Sequence, residues 1–106
     1  MLKVRRWDCE IDGPMTEANI RRKHAPPPPR RVSRDRYEPG DGFEGISRAA
    51  LVHVTEGRVS FEHEGGQLLF SEGEVLSFDG GRYFVRNDGT VAAAAYWVWV
   101  IPTESC

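Results

Sequence analysis

The sequence has few of the features that hold disulfides, structural zinc or a membrane. Its 106 residues include two cysteines, Cys9 and Cys106, with no C-x-x-C pair and no cysteine and histidine spacing suited to zinc. The longest apolar run, residues 91–101, is about half of the roughly 20 residues that cross a bilayer. The first ten residues contain no apolar stretch typical of a secretory signal. These absences predict a cytoplasmic protein with reduced cysteines and no membrane association.

Sequence signatures of common enzyme classes are also missing. There is no G-x-S-x-G nucleophile motif, no phosphate-binding P-loop and no dinucleotide glycine fingerprint, and the chain has only three histidines. Carboxylates are plentiful, but their spacing does not place a pair across a cleft, as a glycosidase needs. A hydrophobic fraction of 40% and a charged fraction of 28% are ordinary for a folded domain. We therefore expect one small domain with a single core.

Positive charge is concentrated in the first half of the chain. Residues 1–48 contain 11 Lys and Arg against 8 Asp and Glu, whereas residues 49–106 contain 3 against 8. Such a cluster can meet phosphates or an acidic partner. However, no aromatic residue lies between Arg21 and Arg36, and no recognition-helix pattern follows. The pattern therefore favours solvated or intramolecularly paired charges over a nucleic-acid interface.

Residues 1–31 have the weakest periodicity and are predicted to form an irregular arm. A loose alternation over residues 1–12 fits an edge strand that ends at Gly13-Pro14. The segment 16–24 fits a short strand, an irregular crossing or one helical turn equally well. The four prolines at 26–29 predict a stiff polyproline connection over the surface.

Residues 32–106 contain short strands at close and regular spacing. The clearest alternation places Val59, Phe61 and His63 on one strand face, and Gly65-Gly66 then turns the chain back. Further turns are predicted at Glu72-Gly73, Asp79-Gly80-Gly81 and Asn87-Asp88-Gly89, and a terminal strand at Val91–Ile101, as the sequence shows. This spacing predicts an all-β sandwich or barrel.

The same turns carry a family resemblance. Val54-Thr55-Glu56-Gly57, then Gly65-Gly66, then Glu72 to Phe78, and finally the glycine turns at 79–81 and 87–89 together resemble the core of a small cupin. The resemblance covers residues 32–101. It implies a small antiparallel jelly-roll β-barrel over residues 32–106, with the Pro-rich arm outside it.

The resemblance also shows what this sequence lacks. Cupins that bind a metal carry two histidines and a glutamate before the glycine that corresponds to Gly57, and those positions fall at Phe43, Gly45 and Ala50. A further histidine is expected three residues beyond the last glycine of the second motif, and counting from Gly81 gives Phe84. None of these four residues has a side chain that ligates a metal. We therefore predict no metal and no cofactor.

Candidate site residues follow from the predicted inner face of the barrel. A small apolar or amphipathic ligand is predicted to contact the following residues: Phe43, Val52, Val54, His63, Phe84, Trp97 and Trp99. For catalysis, the candidates are His63 or His53 as a base and Tyr83, Tyr37 or an arginine to polarise a carbonyl group. Alternation predicts that His53 points out of the barrel, and His24 is predicted to be exposed.

The terminal strand is apolar on both faces. One face of residues 96–101 should line the barrel, and a homodimer partner is the predicted cover for the other. Three functions therefore remain, in this order. The first is a non-catalytic module that binds a small molecule or scaffolds a dimer. The second is a metal-independent isomerase, epimerase or cyclase, and the third is a regulatory subunit that binds a protein partner through its basic arm.

Overall fold

A computed structural model describes residues 2–27 and 29–100 of the chain. Its elements are β1 (Lys3–Arg6), α1 (Cys9–Asp12), α2 (Glu17–Lys23), β2 (Arg30–Tyr37), β3 (Gly42–Glu56), β4 (Arg58–His63), β5 (Gly66–Ser71), β6 (Glu74–Arg86) and β7 (Ala93–Val100). All the strand pairs are antiparallel, which confirms the predicted all-β class. No helix in the described part of the chain is long and apolar enough to cross a membrane.

The strands form a jelly-roll barrel in the order β2-β7-β3-β6-β4-β5, with β1 added beside β6. Two long strands, β3 and β6, take part in both layers of the barrel. Residues 50–53 of β3 pair with residues 75–78 of β6, and residues 42–48 pair with residues 80–86. Strands β3 and β6 therefore each run from one layer into the other.

The predicted turn at Asp79-Gly80-Gly81 is wrong, because β6 continues through it. Gly80 and Gly81 have φ angles of 112° and 115°, which only glycine adopts without strain. A Cβ atom on Gly80 would also lie 3.1 Å from the backbone nitrogen of Ala49. The bend reverses which alternate residues face inward, so that Phe78 and Tyr83 both enter the core.

The core lies between the two layers and is rich in aromatic side chains. Its buried members are Tyr37, Ala50, Val52, Val54, Val59, Phe61, Phe70, Leu76, Phe78, Tyr83, Val85, Ala93, Ala95 and Trp97. Leu2, Val4, Leu68 and Trp99 pack against it while remaining partly exposed. The predicted inner face of β4, with Val59 and Phe61, is therefore confirmed.

The arm contains a helix where the sequence left three alternatives open. In α2, the Thr16 hydroxyl accepts a hydrogen bond from the Asn19 amide at 3.2 Å, which caps the amino terminus of the helix. Glu17 pairs with Arg21 one turn later at 2.9 Å. Ile20, the one large apolar residue of this helix, is fully buried. One buried anchor and a cap are enough to fix a short helix that packs on a sheet.

The first part of the arm is a shorter strand than predicted. β1 ends at Arg6, and the chain then forms α1, whose first amides donate to the Asp8 carboxylate. Cys9 begins this helix and is a free, exposed thiol, whereas Cys106 lies outside the described residues. Of the proline run, Pro28 lies outside the described residues, and the predicted polyproline geometry stays a prediction.

The arm covers the outer face of β7. A second cluster joins Trp7 and Ile20 of the arm to Val75, Tyr96 and Val98 of the sheet. The Tyr96 hydroxyl also donates to the Glu17 carboxylate at 3.3 Å. The apolar face for which the sequence predicted a homodimer partner is thus covered within one chain. Dimerisation stays a prediction, without this argument in its favour.

Candidate functional site

Tyr83 fills the space beside Gly45, one of the positions at which the resemblance places a metal ligand. Gly45 faces it from β3, and a Cβ atom on Gly45 would lie 3.0 Å from the Tyr83 hydroxyl and 3.2 Å from its ring. The missing side chain at Gly45 therefore makes room for the phenol. Ala50, at the position of the family's glutamate, is buried in the same core.

Phe84 lies on the outer face of the barrel, so the prediction that it lines the interior is wrong. It alternates along β6 with Tyr83 and Val85, which are both in the core. Its ring instead lies beneath the Arg86 guanidinium, 5.0 Å from the ring centroid. Counting from Gly80 instead of Gly81 would have indicated the inward residue, Tyr83.

Aromatic rings fill the interior around Tyr83. The Tyr83 ring stacks on Phe61 with 5.5 Å between centroids, and Trp97 lies 5.1 Å from it. Phe78 meets Phe61 edge to face at 5.1 Å. Edge-to-face and offset contacts of this kind add to the stabilisation that burial gives.

The other predicted interior residues divide between the core and its margin. Val52 and Val54 are 1% and 0% exposed and serve as packing residues of this core. Trp97 is equally buried, whereas Trp99 is partly exposed and stacks on it at 5.7 Å. Phe43 is 54% exposed and touches the cluster only at its edge, 6.1 Å from Tyr83.

An open pocket lies at the corner where β2 turns into β3, and we call it the mouth. It has a volume of about 280 Å³ and is lined by Asp35, Arg36, Tyr37, Asp41, Gly42 and Phe43. In the described chain β2 pairs only with β7, and residues 42–48 pair only with β6. The barrel is therefore open between these two strand segments, and the mouth lies at this opening.

A hydrogen-bonded chain connects the core to the mouth. The Trp97 indole N–H donates to the Tyr37 hydroxyl at 3.1 Å, and Tyr37 donates in turn to the Asp35 carboxylate at 3.2 Å. Asp35 lies opposite Ala95 in the β2–β7 pair. Because the alanine side chain is small, the half-buried carboxylate has room on the inner face. Sequence reasoning proposed Tyr37 but missed Asp35, although the alternation along β2 places both on one face.

The phenols of Tyr37, at the mouth, and of Tyr83, deeper in the barrel, keep their protons at neutral pH. Burial raises the pKa of Tyr37 well above its ordinary value, and the negative charge of Asp35 raises it further. Burial and Asp35 raise the pKa of Tyr83 in the same way. Both phenols are therefore neutral, and neither serves as a base.

His63 lies in a different pocket. Its Nδ1 atom is 2.9 Å from the carbonyl oxygen of Arg82, and because a carbonyl only accepts, Nδ1 carries the proton. Its Nε2 atom lies 3.5 Å from the Glu64 carboxylate, a contact that is an ion pair only when the ring carries two protons. This second pocket has a volume of about 400 Å³ and includes Tyr83, but it shares no lining residue with the mouth.

His53 lies beneath the arm on the outer face, as the alternation predicts. It is 1% exposed and meets the rings of Trp7 and His24 edge to face, at 5.7 and 5.5 Å. Burial lowers its pKa to about 4. The structure therefore places His53 and His63 on opposite faces of the barrel, and they do not form one site.

His24 is not exposed as predicted. It is half-buried between the arm and the sheet, and its Nε2 atom is buried without a hydrogen-bond partner among the described residues. Burial is the main cause that lowers the pKa of His24, and the nearby cations Arg30, Lys23 and Arg5 lower it further.

Among the described residues, no three His, Cys, Asp or Glu side chains come close enough together to hold a metal ion. The residues at the family's ligand positions agree with this, because Phe43, Gly45 and Ala50 have no donor atoms and Tyr83 packs among aromatic rings. A metal of the usual kind does not fit this barrel.

No protein-family model matches this chain, and no curated protein matches it. Solved structures do. A cupin 2 conserved barrel domain protein from Salinispora arenicola is 21% identical, with a TM-score of 0.62 over 94% of this chain and 76% of its own. The cupin_2 domain of an XRE family transcriptional regulator from Enterobacter cloacae is 14% identical, with a TM-score of 0.62 over 95% of this chain and 97% of its own.

The cupin domain of Cnp3 from Schizosaccharomyces pombe is also similar. It is 14% identical, with a TM-score of 0.59 over 72% of this chain and 55% of its own. At these identities the comparisons show a common fold. They do not transfer a ligand or an activity.

Proposed function

We propose that this chain, which has the cupin fold, is a binding module that takes a small molecule at the mouth of its barrel without a metal ion. The mouth is an open pocket lined by both an exposed aromatic residue, Phe43, and a half-buried carboxylate, Asp35. Specific ligand sites generally combine apolar walls with a few fixed polar groups. This combination is the observation that carries the proposal.

The filled interior favours the mouth over a deeper site. Metal-binding cupins work inside the barrel, where this chain packs Phe61, Tyr83 and Trp97 against one another. At the mouth, in contrast, Tyr37 is held by hydrogen bonds on both sides and is pre-organised before a ligand arrives. A ligand can therefore bind there without displacing the core.

The basic arm gives little support to the third alternative, a protein-interaction subunit. Lys23 pairs with Asp12 at 2.6 Å, and Arg22 donates to the backbone carbonyl of the same aspartate. Arg21 pairs with Glu17. These cations of the cluster are thus engaged within the chain, in the way that the sequence favours.

A ligand screen by NMR tests the proposal. We expect metabolite-sized compounds to shift the resonances of Asp35, Tyr37 and Phe43, which line the mouth. Replacing Phe43 with alanine should weaken binding roughly tenfold, because the ring supplies the exposed apolar wall. Leu69→Ala is the matched control: Leu69 is 58% exposed, like Phe43, but lies on β5 at the other edge of the sheet. The proposal fails if no compound of any charge shifts the mouth resonances.

Elemental analysis tests the metal-independent part. Protein purified without chelator is expected to hold iron, manganese, nickel and zinc well below one ion per chain, because Phe43, Gly45 and Ala50 supply no donor atoms. Binding in the screen should also survive treatment with a chelator. One tightly held ion per chain would contradict this expectation.

A metal-independent reaction is the second candidate, because the hydrogen bond to the Arg82 carbonyl holds the His63 ring in one orientation beside a pocket. We rank it lower because this pocket is separate from the mouth. Conversion of a bound compound to product during the same screen, lost in His63→Gln, would reverse the order.

A further inference from the structure

The polar groups that face the mouth are hydrogen-bond acceptors. Asp35 presents a half-buried carboxylate, and Asp41 presents a second at the turn into β3. The Tyr37 proton is already donated to Asp35. The Arg36 guanidinium is engaged with Glu38 at 2.6 Å. A ligand that fits these groups must bring its own hydrogen atoms or a positive charge.

The charges around the mouth also select a cation. Asp35 and Asp41 form no ion pair with a side chain in the described part of the chain. Arg36, the cation among the residues that line the mouth, is paired with Glu38, and Arg86, across from Gly42 on β6, is paired with Asp88. The raised pKa values of Tyr37 and Tyr83 have Asp35 as one of their causes. The field at the mouth is therefore negative, which opposes the binding of anions.

The apolar part of the mouth favours an organic cation over a metal ion. The Phe43 ring is more than half exposed at the pocket, and the face of an aromatic ring attracts alkylated ammonium groups. Asp35 and Asp41 are not joined by a third His, Cys, Asp or Glu within metal-binding distance among the described residues. A ring beside two carboxylates is a poor metal site and a suitable ammonium site.

We infer that the ligand of this mouth is a small organic cation, an alkylated or quaternary ammonium compound, held by the carboxylate of Asp35 against the ring of Phe43. The inference rests on the proposed function and adds the chemical class of the ligand. The volume of about 280 Å³ is sufficient for a ligand of the size of choline.

Titration of the full chain with matched probes tests the inference. Choline and its neutral isostere 3,3-dimethylbutan-1-ol have nearly the same shape and differ in charge. We expect choline to bind roughly tenfold more tightly, with shifts at Asp35, Tyr37 and Phe43. Asp35→Asn keeps the side-chain shape and removes the charge, and it should abolish the preference for choline. Glu10→Gln, an exposed carboxylate on α1, is the matched control and should leave the preference unchanged.

The outcomes separate this inference from the proposed function. Equal binding of choline and the neutral alcohol at the mouth, or a preference that survives Asp35→Asn, overturns the cation inference and leaves the binding module standing. Tighter binding of an anion than of choline at the mouth would also overturn the cation inference and leave the binding module standing. If neither probe nor any other compound of any charge shifts the resonances of the mouth residues, both the cation inference and the proposed function fail.

Discussion

Replacing Trp97 with alanine is expected to lower the free energy of unfolding by about 3–5 kcal/mol. The indole is 1% exposed and lies in contact with the rings of Phe61, Tyr83 and Trp99. Alanine would leave a cavity that these rigid rings cannot close. Because small domains are stable by about 5–15 kcal/mol, the loss is a large part of the total. Urea denaturation followed by circular dichroism measures this change in the free energy of unfolding.

Two controls separate packing from hydrogen bonding. Trp97→Phe keeps a ring in the core but loses the donor to the Tyr37 hydroxyl, and it should cost clearly less than the alanine variant. Trp99→Ala removes an indole of the same size from a partly exposed position and should also cost less. If Trp97→Ala unfolds at nearly the same urea concentration as the wild-type chain, the aromatic core does not hold this barrel together.

Acidification is expected to remove about 3 kcal/mol of stability through His53 alone. Burial lowers its pKa from 6.5 to about 4 in the folded chain. Between these values the unfolded chain binds the proton and the folded chain does not, so stability rises with pH. The loss therefore begins as pH falls below about 6.5 and is complete near pH 4. The loss of stability is absent above pH 7, where His53 is neutral in both the folded and the unfolded chain.

The neighbours of His53 act in the same direction. Positive charge on His24, Arg5 and Lys23 lowers the pKa of His53, while its bond to the Tyr96 carbonyl raises it by less than burial lowers it. Protonation would place a charge between the arm and the outer face of the sheet, beside Trp7. We therefore expect the arm to be the part of the chain that acid loosens.

Urea denaturation between pH 4 and pH 8 measures this dependence, with His53→Phe as the test variant. Phenylalanine keeps a ring against Trp7 and His24 but cannot titrate, so the slope of stability with pH should decrease in this variant. His24→Phe is the matched control, because the pKa of His24 is also lowered and its share of the slope must be subtracted. An unchanged slope in His53→Phe would show that His53 does not cause the dependence of stability on pH.

The sequence by itself determined the fold class, the outward position of His53 and the missing metal ligands. These features depend on local rules: alternation assigns side chains to strand faces, glycine marks positions of positive φ, and a side chain without donor atoms cannot ligate a metal. Gly57, with φ of 73°, lies where the sequence predicted the end of a strand. Such rules act within a few residues, and sequence alone is sufficient for them.

Only the tertiary structure decided which residues form the mouth and what covers β7. The bend at Gly80 and Gly81 reverses the alternation in β6, and this places Tyr83 inside and Phe84 outside. Asp35 has room on the inner face because Ala95 lies opposite it, sixty residues along the chain. Burial and cross-strand neighbours are set by segments distant in sequence, so local periodicity cannot predict them.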